Sequence, residues 1–231
     1  MKIITLFLIC ATFTRCSPIY YVPNTQNVPV IKNKGQTNIQ LTINSSESTE
    51  GTELQGAYGI TDEIALQLNA DWVKSSESSS YGSGKFIEFG PGYYRNISEH
   101  FVFETYGLLG FGSLKYEEDI NTPQEINASF TRFGLQPSIS FSSKYFNASL
   151  SSRFANLNYN SVSGNLYDVD YLKANNSYWL IEPALTLQGG LENIKLQIQF
   201  QYSNNLTNSN FSQDYALFSL GLKITLNPKK Y

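Results

Sequence analysis

Histidine, cysteine and long apolar runs are almost absent from this 231-residue sequence. It contains one histidine, His100, and two cysteines, Cys10 and Cys16. A transition-metal site built from histidine and cysteine therefore lacks its ligands. After the N-terminus, no apolar run reaches the roughly 18 residues that a transmembrane helix needs. We expect neither a metal cofactor of this kind nor a helical membrane protein.

Charged residues are also scarce. They make up 15% of the sequence, and the formal net charge is −3 at pH 7. A nucleic-acid-binding protein should present a basic face, so the sequence predicts no nucleic-acid partner. No glycine-rich phosphate loop lies between a strand and a helix, so we expect no nucleotide and no other cofactor.

Aromatic residues are abundant instead, and apolar and polar residues alternate. Tyrosine and phenylalanine number 16 and 15. Over 194–203, for example, Ile194, Leu196 and Ile198 alternate with lysine and glutamine. This period of two predicts β-strands with one apolar and one polar face. Ten strands are predicted, at 36–44, 51–60, 64–74, 85–95, 101–113, 128–141, 145–158, 178–188, 194–203 and 215–226.

The links between these strands alternate between short and long. The short links are 61–63, 96–100, 142–144 and 189–193, and the long ones are 45–50, 75–84, 114–127, 159–177 and 204–214. Such alternation is typical of an up-and-down antiparallel barrel with tight turns at one rim. Each strand has about the 10 residues that a tilted crossing of an apolar membrane band requires. The sequence therefore predicts an all-β, ten-stranded transmembrane barrel in the outer membrane.

The strand ends carry further membrane signals. Aromatic residues near both ends predict two girdles at the membrane interfaces. They are Trp72, Trp179, Tyr159 and Tyr202 at the long links, and Tyr93, Phe101, Phe141, Tyr145 and Phe146 at the short ones. The last strand, with Ser219, Gly221, Ile224 and Leu226, resembles the signal that the barrel assembly machinery reads. Outer-membrane lipid and that machinery are thus the expected partners.

Three prolines recur at intervals of 46 residues, at Pro91, Pro137 and Pro183. Each lies in the middle of a predicted strand, where proline removes a hydrogen-bond donor. The recurrence predicts a repeated hairpin unit with a local bulge at each proline.

The N-terminal residues predict export. Met1-Lys2 and the apolar stretch after them indicate a signal peptide over 1–15. Cys16 follows at the position of an acylated cysteine and is the predicted lipidation site; the alternative is an ordinary signal peptide that leaves a free thiol. The proline-rich residues 16–34 predict an extended tether ahead of a barrel domain at 35–231. We expect this tether to enter at the short-turn rim, on the same periplasmic side as the C-terminus.

The polar faces of the predicted strands point into the lumen, where charges need partners. Eight candidates for a lumen charge network lie on these faces: Asp71, Glu88, Glu104, Arg132, Arg153, Glu182, Lys195 and Lys223. Four are acids and four are bases, which favours salt bridges that fill the lumen with side chains. We expect one cluster around Arg132, Arg153 and Glu182, and a second around Glu104, Lys195 and Lys223.

The N-terminal motif also carries a resemblance. Cys16 is followed by Tyr21-Val22-Pro23-Asn24-Thr25 and then Lys34-Gly35. This arrangement resembles small outer-membrane β-barrel (lipo)proteins of Bacteroidetes-type bacteria, in which a lipobox cysteine precedes a similar segment and the first strand. The resemblance implies an outer-membrane location and leaves the activity unassigned.

Three functions are consistent with this pattern. The first is a non-enzymatic outer-membrane barrel with a filled lumen and long loops that contact a protein partner. The second is a secreted or periplasmic soluble β-barrel or sandwich that binds a ligand. The third, a lipid-modifying barrel enzyme, is disfavoured because His100 lies in a short turn, far from the long loops. We interpret the acids at 117–119 and 168–170 as solvated loop residues.

Overall fold

Ten long strands form a closed antiparallel barrel in the computed structural model, which describes residues 19–75, 80–118 and 124–227. Each strand pairs with its neighbour in the chain, and β1 pairs with β11 to close the ring. The strands are β1 (Thr37–Ser46), β2 (Thr49–Gly59), β3 (Ile64–Ser75), β4 (Ser80–Asn96), β5 (Phe101–Glu118), β6 (Gln124–Ser142), β7 (Phe146–Gly164), β8 (Ser177–Gly190), β9 (Ile194–Tyr202), the two-residue β10 (Asn204–Asn205) and β11 (Ala216–Leu226). The ten-stranded up-and-down fold predicted from the alternation is confirmed.

The two ends of the barrel differ in their connections. Four tight turns, at 60–63, 97–100, 143–145 and 191–193, lie at one end, which we call the short-turn rim. The β1–β11 pairing of Thr37 with Leu226 lies at the same end. The opposite end, the long-loop rim, carries the remaining connections. One of these was predicted to be long but is short, because β1 and β2 are joined by only Glu47 and Ser48.

Strands β4 to β7 are longer than predicted and extend beyond the other strands at the long-loop rim. They contain 17, 18, 19 and 19 residues. Much of the predicted loops 75–84 and 114–127 is therefore strand. Both faces of these extensions carry serine, asparagine and charged residues, so the alternation that marks the rest of each strand fades although the backbone pairing continues.

The long loop at 159–177 contains a helix that the sequence analysis did not predict. Helix α1 (Leu166–Ala174) is capped by the Asn165 side chain, which accepts a hydrogen bond from the Asp168 amide. Its buried residues are Asp168, Val169 and Leu172, too few to produce a helical periodicity over a useful window. No helix within the described ranges is long and apolar enough to cross a membrane.

The three periodic prolines interrupt the sheet without a bulge. At Pro91, Pro137 and Pro183, the pairing toward the next strand stops for about two residues and resumes in the same register. The register shift recorded in the described strands lies elsewhere, at Ser129/Phe130. The predicted bulges are therefore wrong, because the missing proline N–H removes a ladder bond without inserting a residue.

The outer surface of the barrel is an apolar belt. Large apolar side chains point outward from the strands and are exposed, among them Leu150 at 60%. Others are Leu41, Leu54, Leu66, Leu68, Ile87, Phe111, Leu135, Ile139, Leu185, Leu196, Phe200, Leu220 and Leu222. Most of the predicted girdle aromatics border this belt, but Tyr159 points into the barrel and is buried.

Candidate functional site

The inner face of the barrel is polar and buried. All eight predicted lumen charges are buried and lie on inward-facing positions: Asp71, Glu88, Glu104, Arg132, Arg153, Glu182, Lys195 and Lys223. Glutamine, asparagine and serine side chains occupy most of the remaining inward positions. Small residues make room for large ones; a Cβ at Gly110 would lie 2.3 Å from the Phe86 ring. Large and small wall side chains therefore interlock on the inner face of the barrel.

The lumen also holds the N-terminal part of the described chain. Residues 19–34, which we call the lumen segment, run through the barrel without regular secondary structure, and Tyr20 to Ile31 are buried apart from the half-buried Val22. The segment begins at the long-loop rim, where the Tyr20 amide bonds to the Ser212 carbonyl. It reaches the short-turn rim at Lys32 and continues into β1.

This path corrects the predicted tether. The segment lies inside the barrel, and its described beginning is at the long-loop rim. The described chain thus starts and ends at opposite rims, so the expectation of both termini on one side is wrong for residues 19–227. The predicted lipidation site, Cys16, lies outside the described residues.

Inward side chains of the wall bind the backbone of the lumen segment. The Gln199 amide group accepts from the Gln26 N–H at 2.8 Å and donates to the Gln26 carbonyl at 2.9 Å. The Glu104 carboxylate accepts from two consecutive amides, Val30 at 2.9 Å and Ile31 at 3.0 Å. Further carbonyls of the segment accept from Arg153, Gln55, Gln136, Gln188, Lys223 and Asn38. Wall side chains thus replace the sheet partners that an extended backbone otherwise requires.

A charge network lies inside the lumen. Arg153 Nε donates to Glu182 Oε2 at 2.6 Å, and Arg132 Nη2 donates to Glu88 Oε1 at 2.8 Å. The phenol of Tyr21 joins the two pairs, because it donates to Glu182 at 2.7 Å and accepts from Arg132 at 2.8 Å. Two guanidinium groups and two carboxylates are therefore gathered around one tyrosine of the lumen segment.

Glu104, Lys195 and Lys223 bind backbone groups and not each other. Lys223 Nζ donates to the Pro29 carbonyl at 2.5 Å, and Lys195 Nζ donates to carbonyls of the short turns, including Glu192 at 2.9 Å. Among the described residues, no ion pair links Glu104 with Lys195 or Lys223. The expected second cluster is instead a set of separate contacts, two of which hold the lumen segment.

An aromatic cluster lies at the long-loop rim. Tyr20 packs among Tyr171 of helix α1, Tyr178 of β8 and Phe211, and the Tyr178 and Phe211 rings are 4.5 Å apart. The Tyr20 hydroxyl donates to Asp168 Oδ1 at 2.5 Å. Burial and this hydrogen bond raise the pKa of the Tyr20 phenol, which keeps it protonated as a donor. The predicted interpretation of Asp168 as a solvated loop acid is wrong, since it is buried.

Glu53 is a lumen charge that the sequence analysis missed. It lies opposite Asp71 in the β2–β3 pairing and is fully buried. The alternation in β2 is weak because Gly51 and Thr52 precede Glu53. Glu53 is nevertheless adjacent to the outward-facing Leu54, and neighbouring residues of a strand point to opposite faces, so this position could have been predicted to face inward. The lumen segment itself had no comparable signal, because its partners come from strands far away in the sequence.

His100, the one histidine of the sequence, lies away from the lumen. His100 lies in an exposed turn, with Nδ1 3.4 Å from the Ser142 carbonyl. No group of three or more histidine, cysteine, aspartate or glutamate side chains within 19–75, 80–118 and 124–227 is placed to hold a metal ion. Of the predicted acidic spot at 117–119, residue 119 lies outside the described residues. The arrangement of the lumen is suited to holding a polypeptide segment.

The sequence matches no protein-family profile and no curated protein. Among solved structures, it is similar to the translocator domain of the autotransporter NalP from Neisseria meningitidis, with a TM-score of 0.54, 9% identity, and coverage of 87% of this chain and 91% of that one. LpxR from Salmonella typhimurium has a TM-score of 0.45 and 7% identity, and the match covers 81% of this chain and 99% of that one. For an outer membrane channel from Pseudomonas putida F1, the TM-score is 0.43 and the identity 11%, and the match covers 87% of this chain and 100% of that one. At these identities the comparison supports the barrel fold alone.

Proposed function

We propose that this protein is an integral outer-membrane β-barrel without enzymatic activity, closed by its own lumen segment and exposing its long-loop rim for contact with a protein partner. The proposal is supported by the hydrogen bonds between wall side chains and the backbone of the lumen segment. From Asn24 to Ile31, polar wall side chains pair with the segment's backbone, while the outer wall presents an apolar belt. The apolar outer face of the wall is suited to contact with lipid, and the polar inner face is suited to holding the lumen segment permanently.

The apolar belt supports the membrane location over the soluble alternative. Monomeric soluble proteins rarely expose contiguous apolar patches beyond a few hundred Å². Here large apolar residues are exposed on every long strand, while many charged and amide side chains are buried inside. A soluble barrel or sandwich would have the opposite arrangement. The predicted signal peptide and the assembly-signal pattern of the last strand favour the outer membrane in particular.

The long-loop rim is the proposed contact surface. Leu166 and Tyr167, at the start of helix α1, are 81% and 79% exposed, and Leu206 is 57% exposed. They lie beyond the strands, where lipid would not cover them. Exposed apolar residues at the tip of an ordered loop favour contact with another protein.

Extraction and gel migration test the membrane location. We expect the protein to stay in the outer-membrane fraction until detergent is added, and to migrate differently on gels before and after heating. Recovery in the soluble fraction without detergent would contradict the proposal and favour the soluble alternative.

Closure of the lumen predicts a lack of conductance. In planar bilayers, the full-length barrel should conduct ions at background level, whereas a variant lacking residues 20–31 should conduct well above it, because the deletion leaves a polar, water-accessible lumen. Circular dichroism should first establish that the deletion variant is still a β-barrel. Equal conductance of both proteins would rule out closure by the lumen segment.

The path of the lumen segment predicts sidedness. In a background without native cysteines, Ile19→Cys should react with a membrane-impermeant maleimide on intact cells, as should Leu166→Cys at the long-loop rim. Ser98→Cys, in a short turn, should react only after the outer membrane is opened. If Ile19→Cys behaves like Ser98→Cys, the segment does not begin at the outer rim.

A further inference from the structure

The wall of the barrel contacts the backbone of the lumen segment at each residue from Asn24 to Ile31. Each of these residues has an N–H or C=O group hydrogen-bonded to a wall side chain, at distances of 2.5–3.4 Å. The wall residues are Arg153, Glu53, Gln55, Gln199, Gln136, Gln188, Lys223, Asn38 and Glu104, and they lie on β1, β2, β5, β6, β7, β8, β9 and β11. Because backbone groups are common to all residues, these contacts hold a polypeptide chain without depending on its side chains.

The charge network also binds two side chains of the segment. The Tyr21 phenol donates to Glu182 at 2.7 Å and accepts from Arg132 at 2.8 Å. Asn24 Oδ1 accepts from Arg132 Nη2 at 2.6 Å. These bonds require a hydroxyl group at residue 21 and a carbonyl oxygen at residue 24. A phenylalanine at the first position or an alanine at the second would leave a buried charged group short of a hydrogen-bond partner.

Two further side chains of the segment donate to oxygen atoms of the wall. Gln26 Nε2 donates to the Glu182 carbonyl at 2.5 Å. Asn27 Nδ2 donates to the Gly56 carbonyl at 3.1 Å and to Asn69 Oδ1 at 2.9 Å. Both positions therefore require a side-chain N–H donor. The four side chains give the pattern Tyr-x-x-Asn-x-Gln-Asn over residues 21–27.

The valine and prolines of the segment make no such demands on the wall. Val22 and Pro23 carry no side-chain donor or acceptor, and Val22 is only half-buried. Pro23 and Pro29 lack the N–H group that a strand donates to its neighbour. The wall contacts Pro29 through its carbonyl, which accepts from Asn38 and Lys223. The segment is thus a ligand held by wall side chains and not a further strand of the sheet.

The groups that recognise the segment are held in position by the wall itself. Arg132 donates to Glu88 Oε1 from Nε at 3.2 Å and from Nη2 at 2.8 Å, and its guanidinium carbon lies 4.3 Å from the centroid of the Phe86 ring. Glu182 accepts from Arg153 Nε at 2.6 Å. Because these partners all belong to the wall, the site is preorganised, and its geometry does not require a ligand that is covalently joined to β1.

We propose that the lumen is a binding site for a polypeptide that carries the pattern Tyr-x-x-Asn-x-Gln-Asn, and that a separate chain with this pattern occupies the site as the protein's own segment does. The proposal rests on the proposed closure of the lumen by that segment, and adds that the occupant is selected by its sequence and needs no covalent link. Backbone contacts supply affinity and the four side chains supply selectivity, a division that recurs where proteins bind peptides. A second copy of this chain is one source of such a polypeptide.

Cutting the chain beside the segment tests whether a covalent link is needed. A protease-recognition sequence inserted between Asn33 and Lys34, which are both exposed, allows the folded full-length protein to be cut there. In detergent micelles, the N-terminal fragment should stay with the barrel during size-exclusion chromatography, in equal amounts. The uncut variant is the control for the insertion.

Competition tests the selectivity. The cut protein is unfolded in urea and refolded in micelles with an equal amount of a fluorescently labelled synthetic peptide of residues 19–33. This peptide should be incorporated about as often as the protein's own fragment, and so should its Val22→Ala form, which is the matched control. The Tyr21→Phe and Asn24→Ala peptides should be incorporated less often by about tenfold or more, because each leaves a hydrogen bond of Arg132 unmade.

Three outcomes would overturn the proposal. In the first, the fragment leaves the folded, cut barrel. In the second, the cut protein fails to refold under conditions in which the uncut variant refolds, which would mean that the covalent link is required. In the third, the Asn24→Ala peptide and a scrambled peptide of the same composition are incorporated as well as the unchanged peptide, which would mean that the lumen holds any chain. Closure is measured separately by the conductance of the uncut barrel, so a lumen without selectivity would leave the proposed function intact.

Discussion

Replacing Arg153 by leucine should lower the free energy of unfolding by about 3–5 kcal/mol, the range found when one partner of a buried ion pair is removed. Arg153 is fully buried, and its Nε donates to Glu182 at 2.6 Å. Its Nη2 also donates to the Asn24 carbonyl at 3.1 Å. Among the described residues, the leucine variant leaves Glu182 with the hydroxyls of Tyr21 and Ser203 as its hydrogen-bond donors. A buried carboxylate thus loses its charged partner, and the lumen segment loses one contact.

Unfolding in urea, followed by tryptophan fluorescence in detergent micelles, measures this loss. The matched control is Lys144→Leu, which removes a surface pair with Glu192 at 3.5 Å whose side chains are about 60% exposed. That change should cost about 0–1 kcal/mol. The double variant Arg153→Leu/Glu182→Leu should recover part of the loss, because no unpaired carboxylate remains. Equal effects of Arg153→Leu and Lys144→Leu would mean that Arg153 is hydrated and not buried.

Replacing Leu150 by arginine should destabilise the membrane-inserted barrel by about 2–4 kcal/mol, the cost of an arginine on the lipid face near the bilayer midplane. Leu150 points outward from β7, opposite Leu185 of β8 and Ile139 of β6. All three are exposed in the isolated chain and would face hydrocarbon in a membrane. The arginine would have to reach the interface with its charged end, or draw water into the bilayer.

The matched control for this variant is Leu166→Arg, which makes the same change on an exposed residue of helix α1. It should alter stability by no more than about 0.5 kcal/mol, as surface substitutions usually do. Folding yield into phosphatidylcholine vesicles, read from the heat-dependent gel shift, compares the two. If Leu150→Arg folds as efficiently as Leu166→Arg, the outward face of β7 does not contact lipid.

The fold could be predicted from the sequence because a barrel wall has a local signature. Alternation over 194–203 and 215–226 identified β9 and β11 to within a residue or two, since each residue's side depends only on its parity in the strand. The same parity located Arg132, Arg153 and Glu182 inside. Where both faces of a strand are polar, as in β6 before Phe130, the residues no longer alternate between apolar and polar. The ends of these strands could therefore not be predicted.

The interior could be predicted only in part, because its partners are distant in the sequence. Tyr21 and Glu182 are 161 positions apart, and Gln26 and Gln199 are 173 apart. The lumen segment has neither alternation nor a helical period, so an extended tether is what its prolines indicate locally. Its position inside the barrel follows only from the pattern of donors and acceptors that ten strands assemble together.

The lumen segment also restricts the order in which the molecule can form. The chain passes through the ring before it contributes to the ring, because the segment runs from the long-loop rim to the short-turn rim, where β1 begins. Once Tyr20 is packed beneath Phe211 and helix α1, threading it through a finished cylinder would require breaking that cluster. The simplest order is therefore that the wall wraps around a segment already in place, and that the last-synthesised strand, β11, seals the seam with β1 along ten paired residues. In the finished barrel, the lumen segment is retained by topology as well as by its hydrogen bonds. It can leave only through one end of the barrel or after the β1–β11 pairing has opened.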